Sequence, residues 1–135
     1  FILAFLTRKH LANWYANIDC FVSASKGEGW GLHQHEAMAV GRSVIAVNYG
    51  GISEFFDEGV GYPVDYDLEE SSNHYSNGGL WAVARKESLV DRMREVYSAR
   101  RSEKDFKASE RGMKLNWDHS NTILDNTLQK AGFYN

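Results

Sequence analysis

The run Val44-Ile45-Ala46-Val47 is apolar at every position, as in a strand covered on both faces. Just before it, Leu32 to Val40 reads as a helix ended by Gly41, where a residue without Cβ can take the left-handed conformation. Strand and helix recur upstream. Phe1 to Phe5 suits a short buried strand, and Thr7 opens a helix with Leu11, Trp14, Tyr15 and Ile18 on one face. Cys20 to Ala24 is the next strand. After Val47, Gly50-Gly51 makes a turn, Ile52 to Phe56 one or two helical turns, and Val60 to Val64 a short last strand. Strand and helix joined by short connections imply parallel pairing and right-handed crossovers. The expected fold class is α/β, a partial Rossmann-like, doubly wound parallel sheet.

The second half reads differently. Asp65 to Gly79 is polar, with Ser71-Ser72-Asn73 and Asn77-Gly78-Gly79, so residues 65–85 are expected to be a surface loop excursion. A helical C-terminal tail follows over 86–135. Its stripes are Leu89, Met93, Val96 and Tyr97, then Phe106 and Met113, then Ile123, Leu124, Thr127, Leu128 and Ala131. With 135 residues, the chain is of single-domain length, one unit with an α/β portion over 1–64.

Ahead of the central helix stands Glu28-Gly29-Trp30-Gly31, and Glu36 follows Glu28 by eight residues. Backbone N–H groups at a helix start suit an anionic phosphate, and carboxylates accept from neutral hydroxyls. A ligand needing both is a sugar nucleotide. Helical rise separates the two glutamates by roughly 6 to 8 Å. Plainer roles stay open. Glu28 can be a carboxylate near a helix N-terminus, worth about 0.3 to 1 kcal/mol; Trp30 can be a core aromatic; Gly50, Gly51 and Glu54 can be a turn and cap. Glu36, inside the helix, needs a ligand, a partner or water, because an unpaired buried charge is heavily penalised.

Charge excludes several classes. Residues 1–70 hold four Lys or Arg against ten Asp or Glu, a balance of −6, while residues 71–135 hold eleven against eight, a balance of +3. The phosphate site thus lies in the acidic half, although a diphosphate normally needs cationic partners too. Arg92, Arg94, Arg100 and Arg101 alternate with acids on helical stretches, the pattern of a solvated face rather than a nucleic-acid surface. His33 and His35 sit about 200° apart on a helix and cannot share a metal. Ser23 and Ser25 lack an acid and base nearby for a hydrolase triad. Cys20, the single cysteine, reads as a core thiol in a reducing compartment, and no apolar run is long enough to span a membrane.

From Tyr15 to Phe56 the chain resembles the C-terminal donor-binding domain of retaining GT-B glycosyltransferases, glycosyl transferases group 1, family 4-like. The resemblance is carried by Tyr15-Ala16 with Asp19, Ser23 to Ser25, Glu28-Gly29-Trp30-Gly31-Leu32, Glu36-Ala37-Met38-Ala39, Gly41-Arg42, Val44-Ile45-Ala46, and Gly50-Gly51 with Glu54. Gly61-Tyr62-Pro63-Val64, Gly79-Leu80-Trp81-Ala82 and Leu89-Val90-Asp91-Arg92-Met93 extend it towards a bacterial branch. Ser43 in place of a common proline, and Ala82-Val83-Ala84-Arg85 in place of a more acidic segment, depart from the pattern.

The resemblance implies that Glu28 meets the donor sugar and supports charge at the anomeric centre, as the catalytic residue. It implies that Glu36 binds the ribose hydroxyls, and that the amides of Trp30, Gly31 and Leu32 face the diphosphate. Gly29, Gly50, Gly51 and Glu54 complete the donor-binding set. The expected ligand is a nucleotide-diphosphate sugar used as donor substrate, with no cofactor, no metal and no nucleic acid. The parent enzyme would transfer sugar to an acceptor hydroxyl with retention, in the cytoplasm or at the membrane periphery. It would need an N-terminal acceptor domain and upstream Arg and Lys that this chain lacks, so the 135 residues alone are expected to be inactive. A sugar-nucleotide epimerase, a phosphorylase or a non-catalytic sugar-nucleotide-binding relative shares the same pattern.

Overall fold

The structure, a computed structural model, describes residues 6–71, 78–100 and 102–132. The strand expected over Phe1 to Phe5 lies outside them, as does Arg101. Helix α1, Arg8–Ala16, starts where Thr7 accepts the His10 N–H at 3.3 Å. Strand β1, Cys20–Ser23, then leads through a loop to helix α2, Leu32–Ala39, and to strand β2, Ser43–Val47. A 3-10 turn over Gly51–Glu54 precedes strand β3, Tyr62–Val64.

β2 is buried at every position and is the middle strand of a parallel sheet ordered β1-β2-β3. Phe21 pairs with Val44, and Ile45 with Tyr62. Its side chains alternate between two cores, as strand geometry requires. Val44 and Ala46 join Tyr15, Ala37, Met38, Ile52, Phe55 and Ala108, while Ile45 and Val47 join Tyr62, Val64, Ala82 and Val96. Helices α1, α2 and α4 therefore cover one face and α3 the other. The fold is α/β, a Rossmann-like parallel sheet with a helical C-terminal tail.

Residues 65–85 differ from the expected loop. Strands β4, Tyr66–Glu70, and β5, Leu80–Ala84, form an antiparallel hairpin from Tyr66↔Ala84 to Glu70↔Leu80. Tyr66, Ala82 and Ala84 lie on the face turned into the second core, a period-two pattern hidden by the polar residues around it. The last parallel strand starts at Tyr62, with Val60 in the core ahead of it. The helical turn expected over Ile52 to Phe56 is a 3-10 turn over Gly51–Glu54.

The expected stripes in the tail also differ. In α3, Lys86–Ala99, Val96 is buried and Leu89 packs beside it, but Met93 and Tyr97 face solvent. In α4, Glu103–Lys114, Phe106 and Met113 are exposed and the buried face is Asp105, Ala108 and Gly112. Close packing explains this. A Cβ on Gly112 would come within 2.9 Å of the Ala39 backbone nitrogen in α2, so only small residues fit that contact. Buried Asp105 accepts from Ser43 Oγ at 2.7 Å and from the Ser102 N–H at 2.8 Å, which satisfies its carboxylate. Helix α5, Trp117–Lys130, buries no residue.

Candidate functional site

The C-terminal ends of β1 and β2 feed two adjacent connections, residues 24–31 and 48–50. In parallel α/β sheets, ligands bind at this edge. The two connections touch through a parallel bridge between Glu28 and Gly50, and the Gly51 N–H donates to Glu28 O at 2.8 Å. Glycine is required at both turn positions. Gly50 has φ +83° and a Cβ there would lie 2.7 Å from Glu28 O, while a Cβ on Gly51 would lie 2.0 Å from Gly29 O. Beyond the turn, Ser53 Oγ donates to Gly50 O at 2.8 Å, and Glu54 is exposed.

Gly31 caps α2 in the left-handed region, at φ +88° and ψ +52°. Trp30 and Gly31 precede the helix and Leu32 opens it, with first-turn N–H groups lacking intrahelical partners. The Trp30 ring packs on Phe55, 5.1 Å between centroids, and its Nε1–H donates to His35 Nδ1 at 3.4 Å. His35 Nε2–H donates to Gly112 O at 2.9 Å. A single neutral tautomer satisfies both contacts, linking the glutamate loop to α4. His33 turns instead to the Tyr15 hydroxyl, 3.2 Å from Nδ1. Among the described residues, no group of three His, Cys, Asp or Glu side chains is arranged to hold a metal ion.

The two glutamates have different neighbours. Glu28, half-buried, receives a long hydrogen bond of 3.4 Å on Oε1 from Gln34 Nε2. Glu36, also half-buried, is near Tyr15 of α1, whose hydroxyl lies 3.2 Å from His33 Nδ1. Burial first, and then hydrogen bonding and charge from Glu36, push the Tyr15 ionisation far above the usual tyrosine range. Glu28, Gly29, Trp30, Gly50 and Gly51 are brought into one backbone contact, while Glu36 faces α1 and Glu54 faces solvent.

Sequence reasoning missed Gln34, whose available signal is its place as the third residue of α2, where a polar side chain can reach back to the preceding loop. It also missed that Tyr15 in α1 and Glu36 in α2 come near one another. Several cations of the second half are paired with acids: Arg85 with Asp67 at 2.5 Å, Arg111 with Asp57 at 2.6 Å, and Arg92 with Glu58 and Glu95. Lys26, two residues before Glu28, places Nζ 6.0 Å from the Trp81 ring centroid, and its carbonyl accepts the Ala82 N–H at 2.9 Å. The hairpin therefore seats on the glutamate loop. A separate cavity of about 820 Å3 beside β1, lined by Cys20, Val22, Arg42, Met93, Tyr97 and Asp105 among others, shares no residue with that loop. Burial, followed by the charge of Asp105, pushes the Cys20 thiol up to about 11, which keeps it protonated and unreactive at neutral pH.

Residues 2–98 match the family described as glycosyl transferases group 1. The chain belongs to that family. The match takes in the sheet, the glutamate loop, the glycine turn, the hairpin and most of α3. A similar protein is the lipopolysaccharide core biosynthesis mannosyltransferase LpsB of Rhizobium meliloti (strain 1021), 40% identical over 50 residues. That stretch is 37% of this chain and 14% of the relative's length. Among the described residues of this group 1 chain, no helix is long and apolar enough to cross a membrane.

Proposed function

We propose that this chain is the donor-binding part of a retaining glycosyltransferase that takes sugar from a nucleotide-diphosphate donor and passes it to an acceptor hydroxyl. The observation that carries it is the Glu28–Gly50 bridge at the C-terminal edge of a parallel sheet, in a chain of the group 1 family. Glu28 accepts hydrogen bonds from donor-sugar hydroxyls and stabilises the oxocarbenium-like charge as the diphosphate leaves. Glu36 accepts from the ribose hydroxyls. The amides of Trp30, Gly31 and Leu32 receive the diphosphate at the start of α2, where the helix dipole favours negative charge. Gly29, Gly50 and Gly51 let backbone approach the donor closely, and Glu54 borders the same edge. Preorganised charge supplies much of the rate in this scheme, with no metal in an obligatory role.

On this reading a diphosphate needs cations besides these amides, and we expect further Arg or Lys and an acceptor domain to complete the site for turnover. Thermal shift of the complete protein against UDP-, GDP- and ADP-sugars tests this, because a ligand of the native state raises its stability. Mannosyl donors belong in the panel because the named relative is a mannosyltransferase. One donor class should raise Tm and support transfer. Stabilisation without transfer would identify a non-catalytic relative, and no shift from any sugar nucleotide would overturn the assignment.

A further inference from the structure

We infer that Gln34 is a positioning residue that holds the Glu28 carboxylate in its working orientation, an inference that rests on Glu28 meeting the donor sugar. Gln34 is in the first turn of α2 and only 2% exposed. Its Nε2 donates to Ser23 Oγ, at the end of β1, at 3.1 Å, and to Glu28 Oε1 at 3.4 Å. One amide thus spans strand, loop and helix at the site.

The amide has one sensible orientation. A carboxylate only accepts, so the NH2 group must face Glu28, and turning the side chain over would set carbonyl oxygen against carboxylate oxygen. That orientation leaves Gln34 Oε1 buried without a partner, beside Gly31, where a Cβ would come within 3.2 Å of it. Buried polar atoms are rarely left unsatisfied; an apolar side chain of the same length would remove this orphan, but with it the N–H donors to Ser23 Oγ and Glu28 Oε1. The glutamine thus carries an orphaned oxygen together with two donated bonds, one of which orients Glu28: the glycine bridge fixes its backbone, the amide holds one carboxylate oxygen, and the other stays available to a donor hydroxyl.

Steady-state kinetics and thermal unfolding of the complete protein test this with Gln34→Met, Gln34→Glu, Glu28→Gln and the Gln34→Met/Glu28→Gln double variant. Gln34→Met removes the donor group and the orphaned oxygen together, so kcat should fall about tenfold from misplacement of the reacting group, with donor KM within about threefold and Tm unchanged or higher. The double variant should be no slower than Glu28→Gln alone, the non-additivity of residues acting as a unit. Gln34→Glu sets two carboxylates together, one of which takes up a proton as pH falls and can then donate; its rate relative to wild type should recover towards acid pH. This recovery decides the matter should Gln34→Met fail to fold. Wild-type kcat in Gln34→Met, multiplicative losses in the double variant, or a pH-independent defect in Gln34→Glu would overturn the positioning role. If Glu28→Gln itself keeps wild-type kcat, the donor-site assignment fails; if it is impaired while both Gln34 variants are normal, the positioning role alone fails.

Discussion

Where Gly51 meets Gly29, backbone lies on backbone, and a single added Cβ would come within 2.0 Å of a carbonyl oxygen. Along α5 no residue is buried, and Ile123 and Leu124 both face solvent. The two regions differ in what selects their residues. At the glycine turn, identity is set by the space left between two connections that must touch for Glu28 to sit at the sheet edge. On α5, where no residue is fully buried, sequence answers more to helix formation. Helix α4 falls between them, docked through Ala108 and Gly112 while its large apolar residues face water. Apolar content alone does not tell which helix packs.

The sharpest way to break this contrast is Gly51→Ala. The clash is with backbone, which cannot rotate away, so the turn and glutamate loop must separate. We expect a loss of about 3 kcal/mol or more, a fall in Tm of roughly 10 °C, and loss of donor binding. Near-native Tm and binding would show that the bridge is dispensable.

A middle-sized effect concerns Asp57, which ties the segment after the 3-10 turn to α4 through Arg111 at 2.6 Å. The hydrogen bond from Arg111 is the largest cause lowering its ionisation below the usual carboxylate range. A depressed folded-state value contributes stability above the unfolded value, near pH 4, that is lost as pH falls through the folded one. Because the pair is largely exposed, Asp57→Asn should cost only about 0.5 kcal/mol at pH 7, with the gap to wild type closing in acid. Urea titrations at pH 7 and pH 3 measure it, and an equal gap at both would contradict the pairing.

At the far end, Ile123→Ser with Leu124→Ser should change stability by no more than about 0.5 kcal/mol. A fall of several degrees in Tm would mean that α5 is docked after all.

Much of the frame was legible because burial on both faces leaves an uninterrupted apolar run at Val44 to Val47, and because Gly31 and Gly41 bracket α2 with positive φ. The hairpin was hidden because Asp67, Glu69 and Glu70 face solvent and made a paired segment look like loop. The docking face of α4 was missed because it is built from an aspartate, an alanine and a glycine, invisible to a hydrophobic periodicity. Near the glutamate loop, the turn at Gly50-Gly51 could be read from local pattern. The contacts of Gln34 with Ser23 and of Gly50 with Glu28 join residues distant in sequence, and only the fold brings them together.

We propose that the paired glutamates divide the donor between them, Glu28 at the sugar and Glu36 at the ribose. Steady-state kinetics of the complete protein carrying Glu28→Gln or Glu36→Ala, with donor concentration varied, test it most directly. Glu28→Gln should lower kcat by about 100-fold or more with little change in donor KM, and Glu36→Ala should raise donor KM about tenfold while kcat changes less. Wild-type kcat and KM in both variants would contradict the claim.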